Sequence, residues 1–144
     1  MEVIFGCTNP QLTGPVVDGT CIRQVFFSPA EMLESISIFF STYKRSNEGL
    51  IVLEIIDFIT EKSIFMTQCS ASELKDNDWH TFKLNLPLGL RQKYSMKIWT
   101  INCRSGQSFT AYYGNKKNWG YLFIGARMIR VAELMCKFNY SDQK

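Results

Sequence analysis

In Ser35-Ile36-Ser37-Ile38-Phe39-Phe40-Ser41, the apolar residues Ile36, Ile38 and Phe40 take alternate positions, with serines on the other parity. Successive side chains of a β-strand point to opposite faces, so this spacing predicts a strand with one buried side. The same period continues on either side of it. Phe82, Leu84 and Leu86 alternate with Thr81, Lys83 and Asn85, and Tyr94, Met96 and Ile98 alternate with Ser95, Lys97 and Trp99. Near the end, Leu134, Cys136, Phe138 and Tyr140 alternate with Met135, Lys137 and Asn139. Leu50 to Ile56 is apolar on both parities and reads as a central strand covered on both faces. With Ile22–Phe27, Ile64–Cys69, Phe109–Tyr113 and Tyr121–Ile124, the chain holds about eight or nine short strands.

Turn chemistry separates these runs, as in Ser46-Asn47-Glu48-Gly49, Pro87-Leu88-Gly89 and Arg104-Ser105-Gly106. Two short segments carry helical signals. Pro29 to Glu34 fits one turn with Ser28 as N-cap and Pro29 at the first helical position. Ser70-Ala71-Ser72-Glu73 has the capping-box spacing. Many strands with one or two single helical turns make an all-β antiparallel sandwich or barrel. The first twenty residues, rich in Thr, Gly and Pro, are expected to form an extended N-terminal arm, with the β domain spanning residues 21–144.

Sixteen Lys and Arg against thirteen Asp and Glu leave a net charge of +3, too small to mark a polyanion binder by itself. The densest basic spots, Lys44-Arg45 and Lys116-Lys117, read as solvated loop charge, so no nucleic-acid partner is expected. The most apolar run, Leu50 to Ile59, is interrupted by Glu54 and Asp57 and is far shorter than the roughly 20 residues of a membrane span. No membrane insertion is expected. Neither a basic start nor an apolar export stretch is present, and the lipoprotein-like Ile4-Phe5-Gly6-Cys7 has no export helix before it. The five cysteines include no Cys-x-x-Cys pair, and Cys103 and Cys136 fall in apolar runs where a thiol behaves as a small hydrophobe. The simplest account is a reducing, cytoplasmic setting.

Catalytic patterns are sparse. His80 is the one histidine and reads as a solvent-side strand residue, with neighbours Trp79 and Phe82 structural; no catalytic residue is assigned. Asp76-Asn77-Asp78 reads as Asp-x-Asp, a pattern that holds divalent cations in nucleotide-sugar enzymes. Those enzymes carry a strand–helix alternation that is missing here, so the expected role is a turn leading into the Trp79 strand. No metal ligands and no cofactor are expected. The aromatic content is the unusual number: 11 Phe, 6 Tyr and 3 Trp make 14% of the chain. An exposed ring can stack on the C–H face of a sugar while amides and guanidinium groups bond its hydroxyls.

Three segments run in an order with a known counterpart. Gln24-Val25-Phe26-Phe27-Ser28-Pro29 and Leu33 to Ile38 are followed by Ser41-Thr42-Tyr43-Lys44-Arg45-Ser46-Asn47-Glu48-Gly49. Ala71 to Leu74, Asp76-Asn77-Asp78-Trp79-His80-Thr81-Phe82 and Tyr94 come next. This order resembles the jelly-roll β-sandwich module attached to bacterial glycosyltransferases of surface-polysaccharide synthesis. The close of the chain, Val131 to Tyr140, is similar to that module's last strand. Arg23 stands where the module often has glycine, and Lys44 where it has a small residue. The resemblance implies a jelly-roll fold and a non-catalytic, carbohydrate-binding-like accessory role. It also implies a glycan or a glycosyltransferase catalytic domain as partner, and gives Asp76 and Asn77 a turn role. Trp99, Tyr112 and Trp119 are the candidate stacking rings, with Arg45 and Asn47 as candidate polar contacts. The alternative is a structural module that packs on a transferase catalytic domain or self-associates without sugar affinity.

Overall fold

The structure, a computed structural model, describes residues 1–104, 106, 108–118 and 120–141. The chain opens with β1 (Glu2–Phe5), β2 (Gln11–Val16), β3 (Ile22–Phe27) and the long β4 (Met32–Ser41). The hairpin β5 (Leu50–Asp57) and β6 (Ser63–Ser70) leads through a 3-10 turn at Ala71–Glu73 to β7 (Asp78–Pro87) and β8 (Lys93–Ile101). β9 (Phe109–Asn115), β10 (Leu122–Ile124), β11 (Arg127–Ile129), β12 (Ala132–Leu134) and β13 (Cys136–Tyr140) complete it. All pairings are antiparallel, and they form two sheets of seven and six strands.

Neighbours in the larger sheet run β2-β9-β4-β7, and in the smaller β3-β8-β5-β6. That connectivity is a jelly roll, in which eight strands cross between two sheets. The β10–β11 hairpin widens the smaller sheet beyond β3. β13 pairs with β4 over Leu33–Ile38, while β9 takes the same side of β4 at Phe40 and Ser41.

The alternating rows meet between the sheets. Ile36, Ile38 and Phe40 of β4 and Phe138 of β13 face Phe26, Met96, Ile98, Leu53 and Ile55 of the smaller sheet, all fully buried. Phe26 and Phe138 make an edge contact at 4.7 Å between ring centres, and Phe5 stands 5.0 Å from Phe138. Leu50–Asp57 is central as expected, flanked by β8 and β6, with Val52 and Ile56 buried on its outer side too.

Local expectations fared unevenly. The capping box is present: Ser70 Oγ accepts from Ser72 N at 3.3 Å, and Glu73 Oε2 accepts from Ser70 N at 3.1 Å. The helical turn expected over residues 29–34 is absent. Ser28 N donates to Gln92 O at 2.9 Å and Ser28 O accepts from Arg91 N at 2.7 Å, which ties this segment to the β7–β8 turn and starts β4 at Met32. The run from Leu134 to Tyr140 is broken at Met135, whose N–H donates to Tyr112 O (2.8 Å) and whose carbonyl accepts from Phe39 N (3.3 Å). Met135 thereby bridges β9 and β4, and the strand restarts at Cys136. The expected N-terminal arm is extended, and it is woven into the larger sheet: β1 pairs with β13, β2 with β9, and Phe5 and Val16 lie in the core.

A buried carboxylate holds the junction of the first and last strands. Glu133, 1% exposed, accepts from Gly6 N (3.1 Å), Lys117 N (3.2 Å) and Asn118 N (3.2 Å). These backbone donors satisfy the carboxyl oxygens that burial takes away from water. Gly6 is required there, because its φ is +64° and a Cβ would come within 2.4 Å of the Glu133 carbonyl. Among the described residues no helix is long and apolar enough to cross a membrane.

Phe138 touches both sheets' aromatic partners, so Phe138→Ala is expected to lose about 3–5 kcal/mol of stability by cavity formation. Urea unfolding followed by tryptophan fluorescence measures it, and a loss under about 1 kcal/mol would contradict this packing.

Candidate functional site

The rows that the core does not use define two outer faces. On the larger sheet, Phe39, Trp79 and Tyr112 fall on the outward parity of β4, β7 and β9. Their rings form a half-buried strip, with Phe39 edge-on to Trp79 at 5.3 Å and to Tyr112 at 5.4 Å. Such edge-to-face pairs stabilise one another by about 0.5–1.5 kcal/mol each while leaving ring surface in solvent. Lys137 Nζ stands 4.1 Å from the centre of the Trp79 ring. Tyr112 Oη donates to Asn77 Oδ1 at 2.7 Å, and Ser37 and Thr81 share a hydroxyl bond at 2.8 Å beside the strip. Rings flanked by an ammonium, an amide and hydroxyls can stack on a sugar and bond its rim. Trp79 and Phe39 were not among the sequence candidates, although each sits on the polar parity of its own strand.

Asp76 anchors the turn next to this strip. Its Oδ1 accepts from Ser41 Oγ (2.8 Å), Thr42 N (2.8 Å) and Thr42 Oγ1 (3.3 Å). The turn role expected for it holds, with the bonds going across to the end of β4. The Thr42 amide first, and then the Ser41 hydroxyl, hold the Asp76 carboxyl below its ordinary pKa.

Arg45 and Asn47 belong to the adjoining loop. Arg45 Nε donates to Asn47 Oδ1 (2.8 Å), Arg45 Nη2 to Ser108 O (3.1 Å), and Asn47 Nδ2 to Thr42 O (3.3 Å). Arg45 is exposed and lies over the Tyr43 ring at 5.1 Å, whereas Asn47 is 1% exposed with both amide ends engaged. Residues 41–47 and 76–77 thus form one hydrogen-bonded end of the sandwich. Gln24 clips the sheets together: its Oε1 accepts from Leu134 N (2.9 Å) and its Nε2 donates to Val25 O (3.0 Å).

Trp99 lies on the opposite face of the molecule. It points outward from β8 opposite Val52, its Nε1 donates to Glu54 Oε1 at 3.2 Å, and Lys97 Nζ is 6.0 Å from its ring centre. Trp99 and Tyr112 therefore cannot contact one monosaccharide together, because the sandwich separates them. Trp119 lies outside the described residues. His80, expected toward solvent, takes the inward parity opposite Ile38 and packs edge-on against Phe82 at 4.9 Å. Burial pulls its imidazole pKa down, against a smaller upward pull from Glu73. Burial likewise pushes the Cys136 thiol up. The five cysteines are unpaired among the described residues, with Cys103 and Cys136 buried as their apolar surroundings predicted. No group of three or more metal-ligating side chains occurs among the described residues.

No model of a known protein family matches this chain, and no curated protein matches it.

A carboxyl whose pKa is depressed on folding stabilises the native state above its unfolded value, and that contribution vanishes as pH falls through the folded one. Asp76→Asn is therefore expected to be less stable than the parent protein at pH 7. The difference should shrink as pH drops below about 4. Paired thermal melts across pH 2 to 7 check this, and a constant difference would remove Asp76 from the acid response.

Proposed function

We propose that this chain is a non-catalytic, carbohydrate-binding-like accessory module of a bacterial glycosyltransferase of polysaccharide synthesis. It binds glycan weakly through aromatic stacking with polar contacts at the rim. The observation that carries this reading is the strip of Trp79, Phe39 and Tyr112 on an outer sheet face, bordered by Asn77, Lys137, Ser37 and Thr81. Soluble domains spread large rings through their cores, so three of them side by side on a half-exposed face call for a flat partner. The resemblance of residues 24–29, 41–49 and 76–82 to the glycosyltransferase-linked module supports the biological setting. Tyr112 remains a stacking candidate in this reading, Trp79 joins it, and Trp99 serves the other face. Arg45 and Asn47 act by fixing the loop beside the strip.

A second reading has its own observation. Phe27, 42% exposed, and Ile59, 85% exposed, line one hollow with Arg91 at the β5–β6 turn, and Leu90 beside them is 50% exposed. Apolar exposure of this kind suits a structural module that packs on a transferase catalytic domain or on its own copy.

Trp79→Ala is expected to weaken glycan binding about tenfold, the equivalent of about 1.4 kcal/mol, and Tyr112→Ala by a similar factor. A bacterial glycan array followed by calorimetry on the best ligand measures both, and unchanged affinity in the double variant would end the assignment. Light scattering after size exclusion tests the second reading. A dimer that Ile59→Lys converts to monomer would favour self-association, and a monomeric parent would exclude that form of it.

A further inference from the structure

Across the outer face of the smaller sheet, Phe123, Arg23, Lys97, Glu54 and Met66 stand in one row, each opposite the next on β10, β3, β8, β5 and β6. A hollow of about 170 Å³ opens over this row, lined by Arg23, Lys97, Ile56, Phe123, Cys21 and Gly125. Arg23 Nε is buried and has no hydrogen-bond partner among the described residues. Glu54, the acid of the row, accepts from the Trp99 indole N–H. One row away Ser95, 0% exposed, also has a hydroxyl without a partner among the described residues. Phe123 is at the same time a wall of a second hollow of about 500 Å³, which Lys116, Tyr121, Arg130, Met128 and Phe58 complete. Among the described residues no carboxylate lines either hollow.

We propose that this face binds an acidic sugar, with the carboxylate of a uronic acid held by Arg23 and Lys97. The glycan continues over Phe123 toward Tyr121, Lys116 and Arg130. Four observations lead there. Arg23 lines the hollow, and the planar fork of arginine matches the two oxygens of a carboxylate. Lys97 adds a second cation at the same hollow, which favours an anionic ligand over a neutral one. The first hollow is smaller than the roughly 300–1,000 Å³ of a drug-sized pocket, so it takes one charged group of a longer ligand. The walls beyond it are aromatic and cationic together, which suits a chain of ring-shaped units carrying repeated negative charge. This inference rests on the glycan-binding reading and adds the substrate class and a second face.

The test is calorimetry of the full chain with hexagalacturonate, its fully methyl-esterified form, inorganic polyphosphate and oligothymidylate. The acid form is expected to bind, more weakly as salt rises, and its ester to bind at least about tenfold worse. Arg23→Gln and Lys97→Gln should each cost about tenfold in affinity for the acid, with Arg23→Lys intermediate. Lys97→Gln alters an outward side chain, so its thermal melt should match the parent and separate binding from folding. Equal binding of acid and ester would overturn the proposal, as would parental affinity in both glutamine variants. Polyphosphate or oligothymidylate bound as tightly, with the same sensitivity to Arg23→Gln, would overturn it too. If neutral glycans bind through Trp79 and the uronate does not bind, this inference falls alone; if no glycan binds at all, the function proposed above falls with it.

Discussion

Phe26 and Phe138 meet edge to face between the two sheets, and their contact joins parts of the chain that share no strand pairing. Phe26 brings Tyr94 with it from the smaller sheet, and Phe138 brings Phe5 and Tyr140 from the larger. Because side chains alternate strictly, placing Phe138 inward also places Lys137 outward, over Trp79. The composition of the outer faces is thus a by-product of the core's registration. A slip of one residue in β13 would bury Lys137 and erase the aromatic strip's cationic neighbour in the same step.

Period-two patterning made the strands legible, because each one has a core face and hydrophobic burial is what the pattern records. Trp79 shares the parity of Thr81 and Lys83, and Phe39 that of Ser35 and Ser37, so both rings belonged to the solvent side by the rule that placed Phe82 and Ile38 inside. The reading of Trp79 as structural followed its aromatic character, and parity is the better guide. His80 shows the converse: polar character suggested solvent, and parity put it opposite Ile38. What the chain could not reveal locally is long-range pairing. The interruption at Met135 depends on carbonyl and amide groups of Tyr112 and Phe39, and the bend at Ser28 depends on Arg91 and Gln92. The inclusion of residues 1–20 in the sheet depends on β13 and β9.

The candidate surfaces illustrate the same limit. A balance of +3 with no basic run argued against a polyanion. Arg23, Lys97, Lys116 and Arg130 are scattered along the chain and line two hollows that share Phe123. Sequence clustering detects charge along one strand or helix, whereas a sheet collects charge from several strands across its width. The polar motif residues behave in the opposite way. Arg45, Asn47, Asp76 and Gln24 were visible as a pattern, and their bonds fix loops and join sheets. In this fold these polar residues maintain the scaffold, and the charged hollows are assembled from positions scattered along the chain.

The pairing of β1 with β13 has a consequence for how the protein is made. The amino group of Met1 donates to the carbonyl of Tyr140 across a separation of 139 residues. β1 is synthesised before its partner strand, so it waits unpaired until β13 has emerged. Until β13 arrives, the stretch of β4 from Leu33 to Ile38 also lacks one of its two neighbours. The larger sheet therefore closes only once β13 is available, as expected for a topology dominated by distant contacts. Until then the unpaired margins of β1 and β4 are open to wrong pairing.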